Sequence, residues 1–161
     1  MIPITPLLHL VLMNENHIAP LYELALNNKK FLSKWLPWPN QMKDLEFMRN
    51  NILNVMKEHA EGKSCAFAIA DGQALIGRIG LYHIAMGKAE IGYWLAEQAT
   101  GKGIATKATA SLMNYGHQTI GIKTFTIECE KDNVKSQQVA IRNNFKLTNQ
   151  SKGFVQFTFS F

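Results

Sequence analysis

Gly101-Lys102-Gly103 lies between an apolar run and a helix-like run, in the stretch "EIGYWLAEQATGKGIAT" from Glu90 to Thr106. Glycines let a backbone close on a ligand, and the unpaired amides of a helix's first turn carry partial positive charge. The chemistry such a turn serves is the binding of phosphate. Three ligands qualify: a nucleoside triphosphate, a dinucleotide and the pyrophosphate of coenzyme A. A Gly-rich strand-to-helix turn with no ligand would look the same. The metal-type residues show no comparable spacing. His9, His17, His59, His83 and His117 are scattered, and Cys65 and Cys129 stand far apart inside strand-like runs. No metal site is predicted, and both thiols are expected to be reduced.

The frame that positions this turn is small. At 161 residues, 47% hydrophobic and 18% charged, the chain is expected to form one domain, residues 1–161. No run approaches the roughly 18 apolar residues of a membrane helix. The opening "MIPITPLLHLVLM" has no basic residue and no small-residue cleavage site before Asn14-Glu15-Asn16. It is expected to be a first strand, and the protein to stay in the cytoplasm. A net charge of +5 and a pI near 9.3 imply an anionic partner. A phosphate-bearing cofactor and an acidic protein both fit. Nucleic acid is not expected, because the longest basic run is Lys29-Lys30.

Periodicity orders the elements. Leu7 to Met13 reads as a strand, and Asn14 as the cap of a helix with Ile18, Leu21, Tyr22 and Ala25 on one face. Pro37 and Pro39 bracket Trp38 in a rigid aromatic loop. Asp44 caps a second helix carrying Leu45, Met48, Ile52 and Val55, which ends by Gly62. Strands at Ser64–Ala70 and Gln73–Ile84 flank the hairpin signal Asp71-Gly72, and Lys88–Ala96 follows a turn at Met86-Gly87. A helix runs from the glycine loop to about Ile120, closed by Gly121. Lys123–Glu130 alternates as a strand, Val134–Asn143 is a short helix, and Phe145–Thr148 and Phe154–Phe161 are the last strands. The order is β-α-α-β-β-β-α-β-α-β-β, a mixed α/β fold.

That order narrows the ligand. A Walker A loop needs G-x-x-x-x-G-K-S/T, a frame that Gly101-Lys102-Gly103 lacks. The dinucleotide fingerprint needs a third glycine, where Thr106 stands, and a loop after the first strand rather than after a meander. The stretch from Glu90 to Thr106, followed by "IECEKDNVKSQQVAIRNNF", resembles the GNAT superfamily of acyl-CoA N-acyltransferases, and within it the RimL/RimJ branch. "NKKFLSKWLPWP" is similar to that branch's loop between its first two helices. The similarity extends over nearly the whole chain. It implies the GNAT fold, with a mixed, mostly antiparallel sheet flanked by helices. It also implies acetyl-CoA bound between the strand of Glu90 and the strand of Cys129, its pyrophosphate on the amides of Gly101, Lys102, Gly103, Ile104 and Ala105. The family's Gln or Arg in this loop is Thr100 here, which shapes the turn without charge, and Lys102 or Lys107 is expected to compensate.

For the chemistry, the resemblance implies a thioester carbonyl held by a backbone N–H near Tyr93, Trp94 and Leu95. Ser136, in the first turn of the last helix, is the expected general acid for the departing thiolate; otherwise it only caps backbone amides. Many relatives place a tyrosine where this chain has Ala140. Asn133 is read as the helix cap, as a hydrogen-bond partner of the pantetheine, or as both. The branch's glutamate between the last two strands has no counterpart, since no acidic residue follows Asp132 and that connection shrinks to about Asn149–Gly153. Glu90 is the substitute general base, against the reading of a solvated charge near Lys88, and His83 is a second candidate. Trp35, Pro37 and Trp38 either line the acceptor entrance or pack on the core. Cys129 either lies near the coenzyme thiol or is core.

An α-amine costs about 1 kcal/mol to deprotonate at neutral pH, whereas a lysine costs roughly 4–5 kcal/mol. A site without a strong base therefore favours an N-terminal α-amine, in line with the branch's acetylation of ribosomal-protein N-termini. A small cationic amine is the alternative acceptor, expected to need a pocket rich in Asp and Glu. A catalytically weak acyl-CoA-binding module is another. The short last hairpin leaves the acceptor side open, or filled by a second subunit in a homodimer.

Overall fold

The computed structural model describes residues 1–161. Strands β1 (Ile2–Pro3), β2 (Leu8–Leu12), β3 (Cys65–Asp71), β4 (Ala74–Ala85), β5 (Lys88–Leu95), β6 (Thr124–Glu130), β7 (Lys146–Gln150) and β8 (Phe154–Ser160) form one sheet. Its order is β1-β2-β3-β4-β5-β6-β8-β7, and every neighbouring pair is antiparallel except β5 with β6. Helices α1 (Ile18–Asn27), α2 (Lys29–Leu32), α3 (Trp38–Gln41), α4 (Leu45–Ala60), α5 (Ile104–Tyr115) and α6 (Val134–Arg142) connect and cover it. No helix is long and apolar enough to cross a membrane. This is the mixed, mostly antiparallel sheet with flanking helices that the resemblance implied.

Local chemistry sets the boundaries. The Asp44 carboxylate accepts from the Phe47 amide at 3.1 Å and starts α4, whose Met48, Ile52 and Val55 are buried. Gly72 and Gly87, both at positive φ, turn the two hairpins of the β3–β4–β5 meander. Asn14 accepts from Asn16 and opens a single 3₁₀ turn, Glu15–His17, rather than the helix itself. The His17 imidazole accepts the Asn14 amide in return at 3.0 Å, so α1 starts one turn late. Two expectations need correction. The segment around Pro37 and Pro39 is not loop throughout: Trp38–Gln41 forms α3, because Pro39 sits in its first turn, where its missing N–H costs nothing. An additional edge strand, β1, pairs with β2 through Ile2 and Leu10; two residues were too few to show a period.

Alternation along the strands splits the interior in two. On one face Leu10, Phe67, Ile79, Leu81, Ile91, Phe125 and Ile127 pack under Ala108 and Leu112 of α5. On the other, Ala66 and Trp94 meet Leu21 and Ala25 of α1 and Met48, Ile52 and Val55 of α4. Strand β5 belongs to both, with Ala89, Ile91 and Leu95 toward α5, and Trp94 toward α1 and α4. Glu90 and Gly92 share the side of Trp94.

The sheet opens at one place. β5 and β6 pair only through Lys88↔Thr124, Ala89↔Phe125 and Glu90↔Thr126. Beyond that rung β5 stays on β4 as far as Leu95, and β6 stays on β8 as far as Glu130. At the open end Gly101 (φ 75°) and Gly103 (φ 73°) turn the chain into α5, with Gly103 at the cap position. Nothing lies within 4 Å of where a Cβ on Gly103 would stand, so its requirement is purely conformational. Gly103→Ala is expected to cost about 1–2 kcal/mol and Gly103→Asn less, because Asn tolerates this region. Denaturant midpoints of the two variants check the order; equal losses would mean the turn relaxes to negative φ.

Candidate active site

The opening between β5 and β6 is a cleft of about 650 Å³. One wall is Glu90–Leu95 and the opposite wall Ile127–Glu130, with the glycine loop and the starts of α5 and α6 at one end. Of the candidates named from the sequence, Glu90, Tyr93, Trp94, Leu95, Thr100, Gly101, Gly103, Ile104, Ala105, Cys129, Asn133 and Ser136 line this cleft, whereas Lys102, Lys107, His83 and Trp38 do not. Lys102 is exposed at the tip of the turn, between two left-handed glycines, and Lys107 is exposed on α5. The cations on the cleft wall are Lys135 and Arg142 of α6 instead. The Thr100 hydroxyl donates to the Glu97 carbonyl at 2.7 Å and so ties the turn, as expected of an uncharged residue there.

Along the walls, β5 keeps its β4 partners but has no strand on the cleft side from Ile91 onward, leaving backbone groups free there. Asn133 caps α6, its side-chain oxygen accepting from the Ser136 amide at 3.2 Å. That bond leaves the Ser136 hydroxyl free to point elsewhere, and it meets the Tyr93 hydroxyl at 2.8 Å. Burial pushes the Tyr93 phenol up to about 12, against the pull of the Ser136 bond. Cys129, 8% exposed, also lines the cleft; burial pushes its thiol up while the Ser136 hydroxyl pulls it back. Three protonated groups thus meet where the strands diverge.

Glu90 sits at the last paired rung, half exposed, and accepts from or faces His83 Nδ1 at 3.1 Å. His83 adopts φ 53° in the irregularity between Tyr82 and Ala85, which turns it toward Glu90. The two rival base candidates are therefore one pair. Glu128 and Glu130 of β6 line the cleft as well; in sequence they read only as the polar side of a strand. No group of three His, Cys, Asp or Glu side chains is placed to hold a metal ion.

A second hollow, of about 320 Å³, lies on the α4 side of β5 and shares Leu36, Gly92, Tyr93 and Trp94 with the cleft. Trp38 closes it, 5.7 Å from Trp94 between ring centres. Trp35 and Pro37 line the larger cleft. The aromatic loop therefore both packs on the core and borders the two openings. Arg78, Asn51 and Tyr82 also line the hollow, and none was singled out from the sequence, because nothing local marks a strand arginine as buried.

A family model described as "Acetyltransferase (GNAT) domain" matches residues 8–146. The chain belongs to the GNAT acetyltransferase family. This acetyltransferase is 37% identical over 148 residues to the ribosomal-protein-serine acetyltransferase of Escherichia coli (strain K12), covering 91% of this chain and 83% of the relative. Its fold matches RimL, a ribosomal L7/L12 alpha-N-protein acetyltransferase solved with coenzyme A in disulfide linkage to a cysteine. That match has TM-score 0.95 at 28% identity, over 99% of this chain and 97% of that one. The microcin self-immunity acetyltransferase MccE, solved with acetyl-CoA and AMP, matches with TM-score 0.91 at 26% identity, over 98% and 94% of the two chains. The resemblance carried by the two sequence motifs holds.

The raised Tyr93 phenol makes this GNAT domain sensitive to alkali. Its folded value lies above the ordinary 10, so the neutral form stabilises the fold below pH 10 and that contribution is lost as pH rises toward about 12. The loss attributable to Tyr93 is about 2–3 kcal/mol. Denaturant midpoints measured across this range should fall less steeply in Tyr93→Phe than in the native protein.

Proposed function

We propose that this acetyltransferase moves the acetyl group of acetyl-CoA to the N-terminal α-amine of a protein, with a ribosomal protein as the first acceptor to test. The observation that carries the reading is the opening of β5 from β6, with the glycine turn at one end and Ser136 at its side. The residues fit the co-substrate. Gly101 and Gly103 have open space where side chains would begin, so their amides are free to receive a pyrophosphate, with Lys135 and Arg142 on the same wall. Acetyl-CoA supplies an activated thioester carbonyl and a thiol leaving group. A neighbour described as modifying the N-terminal serine of ribosomal protein L7/L12 matches with TM-score 0.88 at 28% identity, which supports the choice of acceptor. Such an acceptor puts the reaction in the cytoplasm.

The chain's residues divide the work. A backbone N–H on the unpaired side of Gly92–Leu95 polarises the carbonyl. Ser136 gives its proton to the departing sulfur, and Tyr93 holds that hydroxyl in place. Glu90, backed by His83 at the rim, takes the proton shed by the amine and passes it to solvent. Cys129 borders the same cleft as a protonated thiol. The smaller hollow receives the acceptor. Its one charged lining residue is Arg78, which suits an acidic protein terminus and disfavours polyamines. A second copy on the exposed β7 edge, beside half-exposed Leu147 and Phe154, would close the side that the short last hairpin leaves open. A monomer in analytical ultracentrifugation would end that part of the reading.

Thiol release from acetyl-CoA, with an N-terminal Ser peptide, a Lys peptide and spermine side by side, tests the reading. Release is expected with the Ser peptide. Glu90→Gln and Ser136→Ala should each slow it by about 10²-fold or more, the usual worth of a positioned acid or base. Silence with every amine while calorimetry shows coenzyme A binding would instead identify an acyl-CoA-binding module.

A further inference from the structure

Arg78 is a buried cation that the transfer chemistry does not use. It is 9% exposed, yet none of the three ion pairs in the protein involves it. Its Nη1 donates to Asn51 Oδ1, and the guanidinium carbon lies 5.9 Å from the centre of the Tyr82 ring. Its Nε is buried with no partner. A guanidinium has five N–H donors, and a buried charge lacking its counterion is a standing cost to the fold.

The surroundings are built to keep that charge in an open hollow. Arg78 pairs across the sheet with Trp94, and on the same face Gly80 pairs with Gly92. A Cβ on Gly80 would come within 2.7 Å of the Tyr82 hydroxyl, and one on Gly92 within 3.2 Å of its ring. The glycine pair lets Tyr82 lie flat on the sheet, and Tyr82 in turn faces the guanidinium. The hollow's other lining residues include no carboxylate. It reaches Gly92 and Tyr93, where the cleft also runs.

We propose that Arg78, oriented by Asn51 and Tyr82, sets acceptor specificity by receiving the carboxylate of an acidic side chain near the acceptor's N-terminus. This rests on the protein α-amine reading. Arg78 lies two residues along β4 from the partner of Gly92, about 7 Å, or two residues of an extended peptide. The acidic residue therefore falls at the second to fourth position of the acceptor. The same cation repels a polyamine or a Lys-rich terminus.

The test compares Ser-initiated hexapeptides carrying one Asp, or the matching Asn, at position two, three or four. Asp is expected to raise kcat/KM on the order of ten- to a hundred-fold over Asn at one position, mainly through KM, as a charge-assisted buried hydrogen bond would. The preference should persist at high salt, since a buried pair is little screened. Arg78→Gln should bring the Asp/Asn ratio near one, and Arg78→Lys should keep part of it. A ratio near one at every position in the native protein overturns the proposal, whether or not the variants fold. So does a ratio that Arg78→Gln leaves intact. Titrating the Trp38–Trp94 fluorescence with the N-acetylated peptides separates the two readings. If no peptide is acetylated but the Asp form still binds more tightly and Arg78→Gln abolishes that, the transfer reading fails and the Arg78 site stands.

Discussion

Everything functional in this molecule follows from the loss of pairing between β5 and β6 after Glu90↔Thr126. A sheet can part between two neighbouring strands only if each keeps a partner on its far side. Here β4 and β8 supply those partners over the full length of the gap. The backbone groups exposed along the gap need hydrogen-bond partners that the protein does not provide, and water or a ligand must supply them. The parallel β5–β6 connection also dictates a helix crossover, which places the start of α5 at the open end of the gap. A glycine turn that opens a helix and a strip of free backbone thereby share one axis, which fits the shape of a long, phosphate-ended thioester.

Charge is deployed within that geometry. The net positive charge is not spread as a contiguous basic face. Two cations stand on the α6 wall and one, Arg78, lines the hollow beside Trp94. The acidic groups of the cleft, Glu90, Glu128 and Glu130, cluster at the β5–β6 walls. In the proposed reaction an incoming ammonium has carboxylates near the transfer point and a cation in the adjoining hollow. Such a dipole orients an acceptor carrying a positive terminus and a negative side chain, and it opposes one that is positive throughout.

How far the sequence could be read follows from the range of the interactions. Turns at Gly72 and Gly87, the Asp44 cap and the buried face of α4 are written within a few residues, and they stand where their patterns put them. The glycine turn into α5 was legible for the same reason. Spacing cannot tell which way the Lys102 side chain leaves a turn between two left-handed glycines, and it stands outside the cleft lining. Pairs such as Tyr93 with Ser136, or Arg78 with Asn51, join residues far apart in the chain and leave no local trace. Glu90 and His83 looked like competitors because one hairpin turn separates them, and only the backbone irregularity after Tyr82 brings them together.

The cluster of Tyr93, Ser136 and Cys129 bears on how a serine could serve as the acid when the position where many relatives carry a tyrosine is Ala140 here. The burial that pushes the Tyr93 phenol up to about 12 and raises the Cys129 thiol acts on any anion formed at that spot. A thiolate released there is poorly solvated and correspondingly basic, so it takes a proton from a weak acid that water would leave untouched. The Ser136 hydroxyl is that acid in the proposed reaction, with the positive end of α6 beside it. In the proposed reaction Tyr93 then makes the better second donor than first. Its hydroxyl is held against Ser136 rather than against the open cleft, so it passes a proton to the serine as the serine gives its own to sulfur, and the phenolate takes a proton from solvent as the coenzyme leaves. The phenol of this site is thereby contributed by the central strand instead of the last helix, and Ala140 leaves the helix free to pack closely on the sheet.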